Sequence, residues 1–138
     1  MSISLEDANK IVHHAHARAA HLGLAVTAAV VDEGGHLVAL GRMDGAPPLS
    51  PQIAEAKAVG AALFHRDGAS IAQLAQDRPD FYKAVDRLAR LPLIPGHGSM
   101  PIKRDGRIVG AVGVSGARPE QDLECAESGV ASLQHHGS

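Results

Sequence analysis

The sequence predicts an α/β chain of the α+β kind: an antiparallel sheet built from two hairpins, with helices on both faces. Three observations carry this. Two pairs of short β-branched runs are each joined by a tight turn, "DEGG" and "RDGR", and strands joined so closely run antiparallel. Segments with helical spacing precede, separate and follow the pairs, so each face of the sheet has a helix to cover it. Finally, 45% of the residues are hydrophobic but only 2% are aromatic, so the core is made of Ala, Val, Leu and Ile, with Gly where backbones meet.

The elements follow in order. Ser4 with Asp7 three residues on reads as a capping box. The helix it opens places Leu5, Ala8, Val12, Ala15, Ala19 and Leu22 on its inner side and ends near Gly23. "LAVTAAVV", Leu24 to Val31, is the first strand and "HLVALGRM", His36 to Met43, returns as the second. After the loop "DGAPPL", Ser50 followed by Pro51 reads as N-cap and first helical residue, and that helix runs to about Asp67. Ser70 opens a short helix to about Gln76, and Asp80 opens another that Pro92 stops. A loop "PLIPGHGS" leads into "MPIKRDGRIVGAVGVS", which reads as strand, Asp105-Gly106 turn, strand. A last helix runs from about Pro119 to Leu133, with Leu123, Ala126, Val130 and Leu133 inward.

At 138 residues the chain is read as one domain, 1–138. A net charge of −2, with no basic patch interleaved with aromatics, argues against nucleic acid as a partner. No apolar run reaches the length of a membrane span and no signal peptide precedes the first helix, so the expectation is a cytoplasmic protein that meets no membrane. The single cysteine, Cys125, reads as a core thiol. His135 and His136 are either native or an appended remnant and carry no argument.

"VGAVGVSGARPEQD" raises the question of a phosphate-binding loop. Its glycines lie within the strand-like run rather than after it, and the helix that follows opens with Glu120 and Asp122, which repel phosphate. The run is therefore read as a central strand that another backbone approaches closely, with Ser115 and Gly116 at its exit as candidates to line a pocket.

Nine histidines are many for this length. His13 and His16 share a face of the first helix, and His16 lies within a turn of apolar Val12 and Ala19, so both are candidate haem ligands beside the plain alternative of surface histidines. No zinc spacing occurs, and no metal site is expected. Lys57 sits at the edge of a helix face formed by Ile53, Ala56, Val59, Gly60, Leu63 and Phe64; it is either an acid/base or Schiff-base amine, or a lysine reaching out to water. Arg42 can clamp a carboxylate, with Asp44 in the adjacent turn and Ser50 at the next helix start, or simply close its own turn. His97, between Gly96 and Gly98 in a loop, is a candidate acid/base or a surface residue.

"VVDEGGHLVALGRMDGAPPLS", "IAEAKAVGAALF", "MPIKRDGRIVGAVGVSG" and "EQDLECAESGV", in this order across nearly the whole chain, resemble the GlcG/HbpS family, the haem-degrading domain also found at the C-terminus of PduO-type proteins. The resemblance implies a profilin-like α/β fold, symmetric homo-oligomers from dimers up to octamers, a place beside catabolic enzymes, and binding of haem or a corrinoid. The family's usual Gly-Gly-x-Pro segment reads Gly98-Ser99-Met100-Pro101 here, so Ser99 places a side chain where the backbone is normally bare. Three functions stand open: a haem or tetrapyrrole binder, a small-molecule isomerase, lyase or hydrolase acting on an organic acid with Arg42 as anchor and Lys57 or His97 as acid/base, and a non-catalytic metabolite sensor. Whether the chain is an enzyme stays undecided at this level.

Overall fold

A computed structural model describes residues 1–134. The terminal His135 and His136 lie outside the described residues. The order is α1 (Leu5–His21), β1 (Thr27–Asp32), β2 (Leu37–Arg42), α2 (Ser50–Phe64), α3 (Gly68–Asp77), α4 (Pro79–Asp86), β3 (Ser99–Arg104), β4 (Arg107–Ser115) and α5 (Pro119–Gln134). The strands form one antiparallel sheet in the order β2-β1-β4-β3, so the two hairpins join through their inner strands. The α+β class and the two hairpins are as the sequence predicts. Asp105 and Gly106 both take positive φ, 52° and 77°, the pairing that matches the strand twist in a two-residue hairpin turn.

Alternation along the central strands divides the core. Ala28, Val30, Val112 and Val114 pack with α1 and α5, whereas Val31 and Ala111 pack with α2, α3 and α4. α2 lies almost against the sheet because β4 has no side chain at Gly113. A Cβ there would sit 2.2 Å from the Ala54 carbonyl oxygen. α1 and α5 meet in the same way, with Gly129 bare beneath Ile11. Among the described residues, no helix is long and apolar enough to cross a membrane.

Several local expectations are corrected. Ile11, not Leu5, lies at the centre of the inner face of α1, because Gly129 admits it; Leu5 is exposed. β1 begins at Thr27 rather than Leu24, since the Leu24 amide still donates to Ala19 in the exit from α1. Ser50 is the first residue of α2 and caps nothing: its hydroxyl turns back to the Pro47 carbonyl. The cap of α3 is Asp67, which accepts from the Ser70 amide, so Ser70 lies inside the helix. α4 stops at Asp86, well before Pro92, and its carboxylate then accepts from the Leu93 amide. Leu63 points outward, because α2 buries a band centred on Ala54, Ala58 and Ala61 instead.

Candidate functional site: a cleft along the β3 edge

The α2–α3 junction, β3 and α5 enclose a cleft of about 460 Å³ along one edge of the sheet. Met100, Pro101 and Val130 give it an apolar floor; His65, Arg66 and Lys103 put imidazole and cationic groups at its rim, beside the Asp67 carboxylate and Ser70. His65 is placed there by the end of α2, where it caps the helix in the left-handed conformation (φ 57°). Arg66 and Lys103 make no ion pair among the described residues. An apolar cleft with unpaired cations at its mouth suits a flat apolar ligand that carries carboxylates. Sequence reasoning missed His65, Arg66, Met100 and Lys103. They are 34 or more positions apart in two groups, and only the packing of α2 against β3 joins them.

A smaller cavity of about 130 Å³ shares Asp67 and Met100 with the cleft and adds His97 and Ser99. Of the residues singled out in sequence, these two line the edge. Just behind them lies Lys57. It is buried rather than at a face edge, and its ammonium donates to the Val114 carbonyl at 3.0 Å and to Asp122 at 3.4 Å. Asp122 also accepts from the Ala117 amide at 3.0 Å. Burial pushes the Asp122 carboxyl above its ordinary range, and the Lys57 ammonium and the Ala117 amide pull it back only in part. Gly98 covers the pair: a Cβ there would meet Asp122 at 2.8 Å and the Lys57 ammonium at 3.2 Å.

The other candidates fall elsewhere. Ser50, Thr27 and Ser115 gather under the start of α2. Ser50 gives its only proton to Pro47, so the Thr27 hydroxyl donates to Ser50, at 2.8 Å. Ser115 pairs with Thr27 in register, and Gly116 turns away at φ 135°, with the Ala25 carbonyl against it. Arg42 and the exposed Asp44 lie at the β2 edge, and the Arg42 guanidinium donates twice to the Ala46 carbonyl. Three strand spacings, roughly 14 Å, separate that edge from β3. Arg42 and His97 are therefore not brought together. On α1, His13 is exposed and packs edge-on to His14. His16 is half-buried, with Nε2 2.8 Å from the Gly41 carbonyl oxygen; since a carbonyl only accepts, Nε2 carries the proton. Among the described residues, no group of three His, Cys, Asp or Glu is placed to hold a metal ion.

Comparison with known proteins agrees with this architecture. Residues 3–131 match the family described as haem degrading protein HbpS-like. The chain belongs to this family. Protein GlcG of Escherichia coli K12 is 38% identical over 90 residues, which span 65% of the chain and 63% of GlcG, so the match covers less than two thirds of that relative. A double mutant of HbpS from Streptomyces reticuli superposes with a TM-score of 0.87 at 28% identity, over 96% of this chain and 88% of that one. PduOC in complex with haem superposes with a TM-score of 0.85 at 26% identity, over 96% and 95%. Haem and small-ligand binding is thus a property found within the family of this HbpS-like chain.

Proposed function

We propose that this HbpS-like chain binds haem, or a tetrapyrrole like it, in the β3 cleft. The observation that carries the reading is the pair of cations without carboxylate partners, Arg66 and Lys103, beside the apolar floor of Met100, Pro101 and Val130. The residues present fit the group. Arg66 and Lys103 would hold propionates, and His65 or the Met100 thioether would ligate iron. Bound haem supplies redox and oxygen chemistry; the protein's part is to orient it, shield one face and set its charge. The histidines of α1 form the competing site, and His13 is the better candidate there because His16 is tied to Gly41. Assembly into symmetric homo-oligomers and a cytoplasmic location belong to the same proposal. The organic-acid enzyme reading, with Arg42 as anchor and Lys57 or His97 as acid/base, is weaker, since Arg42 and His97 lie at opposite edges and Lys57 is buried against Asp122 and the Val114 carbonyl.

The test is a visible-absorbance titration of the purified protein with hemin. A saturable, sharpened Soret band at one equivalent per chain is expected. Arg66→Glu with Lys103→Glu should weaken binding by about tenfold or more, and His65→Ala or Met100→Leu should move the band. Loss of the band in His13→Ala, with the cleft variants unchanged, would transfer the site to α1. A broad, non-saturating response would remove the tetrapyrrole reading altogether.

A further inference from the structure

We propose that Asp105 is a self-modifying position, which converts to isoaspartate without an enzyme, and that the fold spares the two other aspartates that precede a glycine. The dipeptide Asp-Gly occurs at Asp44-Gly45, Asp67-Gly68 and Asp105-Gly106. In each, the glycine amide nitrogen can attack the aspartate Cγ, because a glycine has no side chain to block the approach. The Cγ–N bond forms, the amide gives up its proton and the carboxyl its hydroxyl, and one water leaves. Water then opens the resulting succinimide at either carbonyl. Attack at Cγ restores aspartate. Attack at the former main-chain carbonyl leaves the chain running through the side chain, as isoaspartate. Water is the only co-reactant, and it is both released and taken up.

Backbone geometry separates the three. The succinimide ring holds its residue at a ψ of about −120°, the value at the first central residue of a type II′ turn, where φ is about +60°. Asp105 is the first central residue of its turn and already has φ 52°. Only the peptide between Asp105 and Gly106 has to flip, and Gly106 permits this because glycine takes either sign of φ. The Arg104–Arg107 pairing that closes the turn stays in place. Both turn residues are exposed, nothing lies within 4 Å of a Cβ built on Gly106, and the Asp105 carboxylate makes no ion pair among the described residues. Asp44 is exposed too, but it sits in the mirror-image turn. There Gly45 rather than Asp44 has positive φ, 84°, and the Ala46 amide donates to the Met43 carbonyl at 3.1 Å. Such a type II turn sets ψ of its first central residue near about +120°. Ring closure at Asp44 must therefore break the turn, which the Arg42 guanidinium holds through the Ala46 carbonyl. Asp67 caps α3 through the Ser70 amide, and Gly68 is buried so tightly that a Cβ would lie 1.9 Å from the Gly96 carbonyl oxygen. Closing the ring there would undo the first turn of α3. Isoaspartate adds one carbon to the main chain between β3 and β4, so a turn built for two residues no longer matches the strand twist. The chemistry uses no residue of the cleft and does not depend on tetrapyrrole binding.

Incubation of the full chain for weeks in warm, mildly acidic buffer tests it, read by peptide mapping and by methyl transfer from a protein isoaspartyl methyltransferase. Isoaspartate is expected in the peptide carrying Asp105 roughly tenfold or more faster than in those carrying Asp44 or Asp67. In guanidinium chloride the three rates should converge, because the order is set by the fold and not by the dipeptide. Asp105→Asn keeps a residue suited to this turn, and a carboxamide loses ammonia more readily than a carboxyl loses water. It should therefore speed modification of that peptide roughly tenfold or more, whereas Asp105→Glu should abolish it. Equal rates at the three sites in the folded chain, an order that persists unchanged in guanidinium chloride, or modification of that peptide that survives Asp105→Glu would overturn the proposal.

Discussion

Lys57 and Asp122 show how one ion pair can hold two segments 65 positions apart. Both side chains are more than nine-tenths buried, so removing one strands the other. Lys57→Met should lower stability by about 3 kcal/mol in urea unfolding near neutral pH. Asp122→Asn should cost less, because burial already favours the neutral form of this carboxyl. The pH dependence has a definite sign. A carboxyl whose folded pKa is raised contributes its full stability below the unfolded value, near 3.8, and loses it as pH rises towards the folded value. Without Lys57 the folded value climbs further, so the deficit of Lys57→Met should be smaller at pH 5 than at pH 8. Burial, followed by the charges of Asp122 and Glu124, pushes the Cys125 thiol up to about 11. A disulfide reagent at pH 8 should therefore label Cys125 only on unfolding. The burial of Lys57 was not legible in sequence. Its helix spacing puts it at the edge of an apolar face, and nothing local reveals that Gly98 and Asp122 close over it.

At the scale of elements, signals confined to a few neighbouring residues read correctly. The Asp105-Gly106 turn and the Ser4 cap depend on backbone geometry within four residues, and both are found. The misreadings share a cause, because tertiary contacts compete with a local signal. Ser50 looks like a cap, but Pro47 and Thr27 claim its hydroxyl. The helical pattern after Asp80 continues past Asp86, yet the chain leaves the helix there; Arg90 donates to the Gly35 carbonyl and Leu93 enters the core. The close approach of α2 to β4 gives a sharp test. Gly113→Ala pushes a methyl group into the α2 backbone at Ala54 and Ala58, and should lower stability by about 2–3 kcal/mol. Gly106 has open space around its missing side chain, but its φ of 77° strains any replacement. Gly106→Ala should therefore cost only about 1 kcal/mol, measured in the same unfolding series.

The whole molecule is one sheet shared by two apolar layers, since β1 and β4 send alternate residues to each. Neither layer can come apart alone without exposing the strand that both use. Hydrogen exchange at the Val30, Val31 and Val112 amides should therefore require global unfolding, and their protection should equal the stability from urea titration. The fold was legible from the order of hairpins and helices, but the cleft was not: it exists only because α2 packs against β3 and brings the α2–α3 junction to that edge. One more consequence follows from the layer of α4. Tyr82 is the only tyrosine, there is no tryptophan, and its ring is buried in a stack with Phe64. Essentially all ultraviolet emission of the molecule thus originates at one fixed point, the seam between α2 and α4. Its phenol has no hydrogen-bond partner among the described residues and is held neutral, with a pKa of about 12. The chain carries a single built-in fluorophore whose quantum yield reports the docking of α4.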